Sequence, residues 1–467
     1  MRAPAAAGAQ AISTRTSMMP SARPSGHDKM NIAVLVSGGG NHQGAWRRAG
    51  SNIELANTPG FYVAFAQAAE AAKIDAIFFA DIPSLDPKAL GVNPVLNAFE
   101  PVVLTSYLAA FTSRVGLVSS VSTSFSEPYT VARQFASLDR VSGGRAGWNI
   151  VTSATGEKNY GATPLPDQDV RYAQAAEFVE IAKRLWDSWD QQTLKIDRAS
   201  GQFGDIADIR PTDFHGKFFD VAGPLNIQRP PQGWPVLFQA GASPIGRGFA
   251  AETAEGVFTA QQTLEDSLEF ARDMRARVSA AGRDPRRVKL LLGITPIIGA
   301  TEAEAKATER ELGEFIDIKA SLRKLNSYIP GVDLSGFDLD KPIPREALPD
   351  VSAVQGRQSR YKIFADLTLN DGWTLRELVK LTGRSDGHWT LTGSPEQIAN
   401  QMAERFLADA CDGYVVMPTY HPEGSGLFFS DVVPILQQRG LFRTEYEGTT
   451  LRSHLGLDIP ERGARGI

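Results

Sequence analysis

"LDRVSGGRAGWNIVTS", residues 138–153, ends a helical pattern with two glycines and then continues directly into an apolar run. The pair Gly143 and Gly144 is typical of a helix C-terminus, where the chain turns through left-handed backbone conformations. In the following strand Trp148 and Asn149 must point to opposite faces, so Trp148 is predicted to pack against helices. The stretch therefore predicts a helix, a tight turn and a strand, the repeating unit of parallel α/β folds.

The same alternation of apolar strand-like runs and helical patterns continues along most of the chain. Eight runs read as strands: NIAVLV (31–36), IDAIFFA (74–80), VGLVSSVS (115–122), AGWNIVT (146–152), PVLFQA (235–240), GVFTAQ (256–261), VKLLLGITPII (288–298) and DGYVVMP (412–418). Several intervening segments carry the spacing of amphipathic helices. Eight such βα units favour a closed α/β barrel, (β/α)8, over an open sheet.

Two stretches interrupt this rhythm. Residues 191–235 are rich in Gly, Asp and Pro, and residues 319–389 give mixed signals. We interpret both as insertions in loops of one barrel domain that spans residues 30–467. Residues 1–29 lack the compact apolar run of a secretory signal and are predicted to be a disordered N-terminal extension.

Composition excludes several classes of protein. The 467 residues contain 48 Lys and Arg against 53 Asp and Glu, a net charge of −5, with no basic cluster among aromatics. This argues against a nucleic-acid partner. No run approaches about 18 consecutive apolar residues, so no membrane-spanning helix is predicted. Cys411, the only cysteine, cannot form an internal disulfide, which favours the cytoplasm.

Polar side chains follow four of the predicted strands. They are Asp81, the segment Ser120–Ser124, the segment Asn149–Ser153, and Ser243. Each alone is also explained as a turn cap or a loop hydrogen bond. In a barrel, however, the carboxyl ends of the strands converge, and convergent polar groups in an apolar cup suit a flat heterocyclic ligand. Together they favour a cofactor site.

The segment after the fifth run predicts a phosphate site. Ser243 is a plausible helix N-cap, with Pro244 at the first helical position. Small residues at Gly241 and Ala242 would let a ligand approach the backbone. Free N–H groups at such a helix start can bind a phosphate.

Other chemistries lack their sequence signals. The six histidines show no metal-site spacing, and neither a G-x-S-x-G elbow nor a P-loop is present. "SGGGN", residues 37–41, follows a strand but lacks the G-x-G-x-x-G spacing of nicotinamide-binding domains. If the chain performs redox chemistry, its electrons should arrive on another carrier.

Several blocks together resemble one family. "NHQGAWRR", "FFAD", "EPYTVARQFASLDRVSGGRAGWNIVTS", "RYAQAAEFVEIAKRLWDSW", "PVLFQAGASPIGRGFAAETAE" and "VVPILQQRGLFRTEYEGTTLRSHLGL" occur in family order, between about residues 31 and 457. They resemble the nitrilotriacetate monooxygenase component A, dibenzothiophene-sulfone monooxygenase and pristinamycin synthase group of bacterial-luciferase-like flavin monooxygenases. The resemblance implies a (β/α)8 barrel that binds reduced FMN, supplied by a separate NAD(P)H:flavin reductase. It also implies that O2 is used to oxygenate a small organic substrate, and that the protein is a homodimer or homotetramer.

The resemblance also implies particular flavin contacts. They fall on Asp81, Ser120, Asn149, Tyr172 and Ser243, with Thr123 as the competing choice to Ser120. Gly241 and Ala242 join them through the phosphate argument. No metal is predicted, and no catalytic residue is assigned.

One position departs from the family pattern. The family usually has a His four residues before the Tyr, and here Gln168 stands before Tyr172. Gln can donate and accept hydrogen bonds but cannot titrate near neutral pH. We favour a flavin-binding role for this position over proton transfer. His42 falls where the family also carries His, and it could line the pocket after the first strand. A hydrogen bond that fixes the loop explains this residue at least as well.

The substrate and the activity keep alternatives at this stage. Arg357, Arg360 and Lys362 in "GRQSRYK" could meet an anionic substrate, or form a solvated face. A sulfur heterocycle as the substrate agrees with the sequence equally well. A deazaflavin-dependent dehydrogenase on the same barrel and a non-catalytic flavin-binding protein are the other functions to consider. The C-terminal "RTEYEGTTLRSHLGL" is interpreted as a segment that docks on a neighbouring subunit.

Overall fold

The computed structural model describes residues 29–463 except 95–97, 154, 162–163, 242 and 355–357. Nearly all of the predicted N-terminal extension therefore lies outside the described residues, as do Ala242 and Arg357. In the described part, no helix is long and apolar enough to cross a membrane.

The strands follow the order predicted from the apolar runs. Their bounds are β1 Asn31–Leu35, β2 Ala76–Phe79, β3 Gly116–Ser122, β4 Ala146–Val151, β5 Leu194–Asp197, β6 Gln202–Gly204, β7 Phe214–His215, β8 Asp220–Val221, β9 Val236–Gln239, β10 Gly256–Thr259, β11 Lys289–Ile298, β12 Trp389–Gly393 and β13 Gly413–Val416. The helices are α1 Pro59–Ala71, α2 Pro87–Leu90, α3 Pro101–Leu108, α4 Pro128–Ser142, α5 Gln168–Trp186, α6 Pro244–Thr253, α7 Leu264–Ala280, α8 Glu302–Glu314, α9 Ile318–Asn326, α10 Gln358–Leu369, α11 Leu375–Ser385, α12 Pro395–Leu407, α13 Glu423–Leu427, α14 Val433–Gln438 and α15 Leu451–His454.

Eight parallel strands form a closed barrel. The order is β1, β2, β3, β4, β9, β10, β11 and β13, and β13 pairs back onto β1. The pairing of β10 with β11, for example Gly256 with Lys289, completes the circle. All eight strands lie within the runs that the sequence predicted. The predicted (β/α)8 barrel is confirmed.

A ninth strand was missed. β12 pairs in parallel with the second half of β11, from Ile294 to Ile298. The first half of β11 pairs with β10, and its middle with β13. β11 is ten residues long and buried throughout, so it extends beyond the barrel wall and carries an additional partner.

The helix, turn and strand of the opening stretch form as predicted. Gly143 and Gly144 have φ of 71° and 91°, and their N–H groups donate to the carbonyls of Arg140 and Asp139, respectively. Trp148 then points outward, with its ring centroid 5.6 Å from that of Phe135 on α4. The turn thus directs the chain into β4 with Asn149 on the opposite, inner face.

The C-terminal segment closes the N-terminal end of the barrel. Leu451 and Leu455 are buried with interior residues of the strands, including Val118 and Phe238. A Cβ on Gly116 would lie 2.5 Å from Leu451 Cδ1, so the strand leaves room for this leucine. The interpretation that this segment docks on a neighbour was wrong for these leucines, because their apolar side chains are already buried in the barrel of their own chain.

The two irregular stretches form distinct structures between barrel elements. Residues 194–221 contain two small antiparallel hairpins, β5–β6 and β7–β8. The later stretch contains α9, α10 and α11, which share an apolar core of their own around Tyr328, Phe364 and Leu378. α10 brings residues 358–360 to the open end of the barrel, beside the cavity described below.

Candidate cofactor site

A cavity of about 290 Å³ lies at the carboxyl ends of the strands. It is formed by the ends of β4 and β9, the loop after β2, and helices α5, α6 and α10. Its lining residues are Asp81, Ile82, Pro83, Ile150, Val151, Thr152, Ser153, Thr155, Gln168, Arg171, Tyr172, Gln239, Ala240, Gly241, Ser243, Gln358, Ser359 and Arg360. Five of the predicted site residues are therefore brought together here: Asp81, Gln168, Tyr172, Gly241 and Ser243.

The start of α6 forms a cradle within this cavity. Ser243 is the N-cap, because its Oγ accepts a hydrogen bond from the Gly246 N–H at 3.2 Å. Gln168 Nε2 donates to the same Oγ at 3.4 Å. A Cβ on Gly246 would lie 2.9 Å from the Tyr172 hydroxyl oxygen, so only glycine allows the helix this close to Tyr172. Polar groups from α5 and α6 thus meet at one helix N-terminus.

Asn149 and Ser120 are buried and do not line the cavity. Ser120 Oγ donates to the Phe79 carbonyl at 2.8 Å and accepts from Asn149 Nδ2 at 2.8 Å. Asn149 Oδ1 is buried without a hydrogen-bond partner among the described residues. Ser120 therefore fixes the orientation of the Asn149 amide. Thr123, the competing choice, is also buried and donates to the Val151 carbonyl at 3.2 Å.

Asp81 lies in the loop after β2 and is half-buried. Burial is the largest influence on its carboxyl group, and the charge of Glu100 adds to it, so the pKa of Asp81 is raised above its usual value. The residue is placed where the sequence predicted, at the strand end and on the cavity wall.

Comparison with known proteins agrees with this architecture. A family model described as luciferase-like monooxygenase matches residues 38–410. The chain belongs to the luciferase-like monooxygenase family. It is 42% identical to N-acetyl-S-(2-succino)cysteine monooxygenase of Bacillus subtilis, over 92% of this chain and 97% of the relative. It is 39% identical to nitrilotriacetate monooxygenase component A of Aminobacter aminovorans, over 93% and 97%.

A solved structure shares the fold. Riboflavin lyase with modified FMN and its substrate riboflavin superposes with a TM-score of 0.82 at 28% identity, covering 92% of this chain and 96% of that chain. The family resemblance expected from the sequence blocks is thereby confirmed. The chain is a flavin-dependent monooxygenase, and luciferase-like enzymes of this kind use reduced flavin.

Gln239 is a polar residue of this luciferase-like cavity that sequence reasoning missed. Gln239, the last residue of β9, lines the cavity, and its Oε1 is buried without a partner among the described residues. A Cβ on Gly241 would lie 2.4 Å from Gln239 Nε2, so Gly241 leaves the space for this amide. The only signal was a polar residue at the end of the apolar run PVLFQA.

The predicted cationic group of the insertion separates in the structure. Arg360 lines the cavity, whereas Lys362 is exposed and pairs with Asp366 one helical turn later. For Lys362 the solvated-face interpretation is therefore correct. Arg171, which sequence reasoning also missed, lines the cavity from α5, and its Nη1 donates to the Pro166 carbonyl at 2.5 Å.

His42 has a structural role in this monooxygenase. It is buried after β1, and its Nδ1 accepts from the Gly44 N–H at 3.1 Å. Burial, followed by the charge of Arg384, lowers the pKa of His42 to about 3. The imidazole is therefore neutral at physiological pH, and its hydrogen bond fixes the loop.

Proposed function

We propose that the protein is the oxygenase of a two-component system, which uses reduced FMN and O2 to oxygenate a small organic substrate. The single observation that carries the proposal is the cradle at the start of α6, which lines the same cavity as Gln239, whose Oε1 is buried without a partner among the described residues. The cradle suits a phosphate group of a ligand, and the Gln239 amide suits the polar edge of a heterocyclic ring of the same ligand. FMN contains both groups.

The cradle has the chemistry that a phosphate needs. Helix N-termini present free N–H groups and the positive end of the helix dipole. Ser243 and Tyr172 add hydroxyl groups there, and Gly241 and Gly246 leave room for the side chains of Gln239 and Tyr172 beside the backbone. We propose that these residues and Gln168 hold the FMN phosphate. Ala242, which lies outside the described residues, stays a prediction of the same site.

The barrel end has the chemistry that a flavin ring needs. A flavin ring carries hydrogen-bond donors and acceptors along its polar edge. Asn149 Oδ1 and Gln239 Oε1 are buried acceptors without partners among the described residues, and leaving such atoms unpaired costs free energy. We propose that Gln239 binds that edge from the cavity that Asp81 also lines. Asn149, oriented by Ser120, lies outside the cavity lining and stays a prediction of the same site. Bound reduced FMN supplies the electrons that activate O2, while Ile82, Ile150 and Val151 exclude water.

The electrons need an external source. The chain lacks a nicotinamide-binding fingerprint, and one relative is named as component A of a monooxygenase. We therefore propose an NAD(P)H:flavin reductase as partner. A homodimer or homotetramer in the cytoplasm completes the proposal. Cys411, the single cysteine of the sequence, is buried and cannot form an internal disulfide, which agrees with a reducing compartment.

The test is an anaerobic titration of the purified protein with reduced FMN and, as the matched control ligand, reduced riboflavin. We expect one FMN per chain and at least about tenfold weaker binding of riboflavin, because charge-assisted hydrogen bonds to a phosphate contribute about 1.5–3 kcal/mol. Mixing with O2 should then reoxidise the bound flavin, with O2 consumed.

Three outcomes would contradict the proposal. Equal affinity for FMN and riboflavin would remove the phosphate from the α6 cradle. Tight binding of a reduced deazaflavin, together with no O2 consumption by the FMN complex, would favour the deazaflavin-dependent dehydrogenase. FMN binding without oxygenation of any organic compound would favour the non-catalytic flavin-binding protein.

A further inference from the structure

The wall of the cavity that α10 contributes carries a cation with unused hydrogen-bonding capacity. Arg360 lines the main cavity and also an adjoining side pocket of about 60 Å³. Its Nη1 atom is buried and has no hydrogen-bond partner, and the residue forms no ion pair within the described part of the chain. Since an unpaired buried N–H is unfavourable, this guanidinium is prepared for an acceptor from outside the protein.

Arg360 is held in place by a neutral histidine. Its Nη2 lies 2.9 Å from His388 Nε2. His388 is buried, and burial together with the positive charge of Arg360 keeps its pKa well below the usual value. The imidazole is therefore neutral, and its Nε2 accepts the hydrogen bond that arginine can only donate. The pair fixes the guanidinium without neutralising its charge.

The barrel holds that histidine rigidly. The His388 ring stacks on Phe258 of β10, with ring centroids 5.3 Å apart and planes 6° from parallel. A Cβ on Gly293 of β11 would lie 2.3 Å from His388 Nδ1, so the strand leaves room for the ring. Asp386, whose charge also reaches His388, is itself bound by Tyr328 and Lys324. Arg360 is thus positioned by two strands of the barrel.

We infer that Arg360 binds a carboxylate of the substrate, and that this enzyme oxygenates an anionic, carboxylate-bearing compound. The inference rests on the proposed function and names its substrate class. Arg360 borders both the main cavity and a side pocket that Phe258, Thr259 and His388 also line, so a carboxylate could reach it from either space.

The anion at Arg360 has two possible sources, a substrate carboxylate or the flavin phosphate. The phosphate already has a cradle at α6, built from Ser243, Tyr172 and Gly246. Arg360 lines the same main cavity as Ser243 and Tyr172, and it also borders the end of β10, in a side pocket that none of these three residues lines. Two of the relatives are also named after polycarboxylates, N-acetyl-S-(2-succino)cysteine and nitrilotriacetate, whereas dibenzothiophene-sulfone monooxygenase, at 36% identity, is not. These observations favour the substrate.

The test compares charged and neutral versions of the same probes. Binding of N-acetyl-S-(2-succino)cysteine, nitrilotriacetate and their full methyl esters is measured by calorimetry, on the protein with and without FMN. We expect at least one polycarboxylate to bind wild type about tenfold or more tightly than its ester. Arg360→Met should lose about tenfold or more of that affinity and leave the ester unchanged. Arg360→Gln, which keeps polarity, should behave like Arg360→Met.

Lys362→Met is the matched control. It removes one positive charge from the same helix, two residues away, at an exposed position paired with Asp366. We expect it to change neither carboxylate nor ester binding by more than about twofold. Circular dichroism of all three variants checks that each one folds. If Arg360→Met does not fold, Arg360→Gln still tests the loss of the positive charge.

The outcomes separate this inference from the proposed function. The role of Arg360 would be overturned if the wild-type protein binds FMN but binds the acids and their esters equally. It would also be overturned if Lys362→Met loses as much carboxylate affinity as Arg360→Met. Both outcomes leave the flavin function intact. A fall in FMN affinity in Arg360→Met, with riboflavin binding unchanged, would assign Arg360 to the flavin phosphate and also overturn it. Failure of wild type to bind reduced FMN, with Arg360-dependent carboxylate binding retained, would contradict the flavin function and support the carboxylate site.

Discussion

A buried ion pair at the N-terminal end of the barrel contrasts with buried polar atoms at the C-terminal end that have no partner among the described residues. At the N-terminal end, Arg452 and Glu255 are buried and form a two-point ion pair, with distances of 2.6 Å from Nη1 to Oε1 and 3.0 Å from Nη2 to Oε2. At the C-terminal end, Gln239 Oε1, Asn149 Oδ1 and Arg360 Nη1 are buried without partners among the described residues. The Arg452–Glu255 pair is completed by the chain itself, whereas Gln239 and Arg360 line the cavity and offer groups that a ligand would complete.

This difference separates stability from function along the barrel axis. The N-terminal end is filled by Leu451 and Leu455, so changes there should alter unfolding and leave binding intact. Changes at the C-terminal end should alter ligand binding and leave folding intact. Enzymes with this barrel generally carry their active sites at the C-terminal end of the strands, which agrees with the assignment.

The largest effect is expected from Glu255→Gln. The substitution leaves the buried Arg452 guanidinium without its anionic partner and also weakens the acceptor for the Leu237 N–H. Removing one partner of a buried ion pair costs about 3–5 kcal/mol. We expect a fall of several degrees in the thermal midpoint measured by calorimetry, with the reduced-FMN affinity within about twofold of wild type.

Asp340→Asn is the control for this prediction. Asp340 forms a similar two-point pair with Arg376, at 2.6 Å and 3.0 Å, but on the exposed surface of the insertion. Since exposed pairs contribute little, its thermal midpoint should stay within about 1 °C of wild type. A Glu255→Gln protein that melts normally and binds FMN poorly would refute the separation of the two ends.

An intermediate effect is expected from Gly246→Ala at the other end. The added Cβ would lie 2.9 Å from the Tyr172 hydroxyl and 3.1 Å from Ser243 Oγ, so it must displace groups of the cradle. We expect the dissociation constant of reduced FMN to rise about tenfold or more, or about 1.4 kcal/mol, with a nearly unchanged thermal midpoint. Anaerobic titration and calorimetry measure the two quantities.

Gly248→Ala is the matched control in the same helix. A Cβ at Gly248 meets nothing within 4 Å, and alanine in a helix interior is favoured over glycine by about 0.5–1 kcal/mol. This variant should bind FMN like wild type and melt slightly higher. Equal loss of affinity in both variants would mean that α6 tolerates no change, and the cradle argument would fail.

The two ends also differ in how far the sequence predicts them. The barrel strands are buried on both faces, so they read as continuous apolar runs, and their ends indicate where Asp81 and Ser243 lie. Leu451 and Leu455 were misassigned to a neighbouring subunit because apolar side chains require a covering surface, and their spacing in the sequence does not indicate which surface covers them. The sequence did not single out Gln239 as a site residue, because one polar residue at the end of an apolar run is common.

Contacts within the insertion are the least predictable. Arg360 and His388 are 28 residues apart and meet only because α10 and the residues after α11 pack over β10 and β11. No sequence spacing records such a contact. The same limit applies to Ser120, whose hydrogen bonds with Asn149 and the Phe79 carbonyl no sequence spacing predicts, and whose contact with the cofactor stays a prediction.

The smallest effect is expected from Gln168→His, which restores the residue usual in the family. Gln168 is buried, and its Nε2 donates to Ser243 Oγ at 3.4 Å, a hydrogen bond that an imidazole N–H can replace. At pH 8 the FMN affinity of Gln168→His should stay within about threefold of wild type, whereas Gln168→Leu, which has no donor, should lose more affinity.

An imidazole beside the phosphate would gain a proton near its ordinary pKa of about 6.5, so FMN binding to Gln168→His should tighten as the pH falls from 8 to 6. Gln168 cannot titrate, so the ratio of wild-type to Gln168→His affinity should change over this range. A constant ratio, with Gln168→Leu equal to wild type, would place residue 168 outside the phosphate site and confine the cradle to α6 and Tyr172.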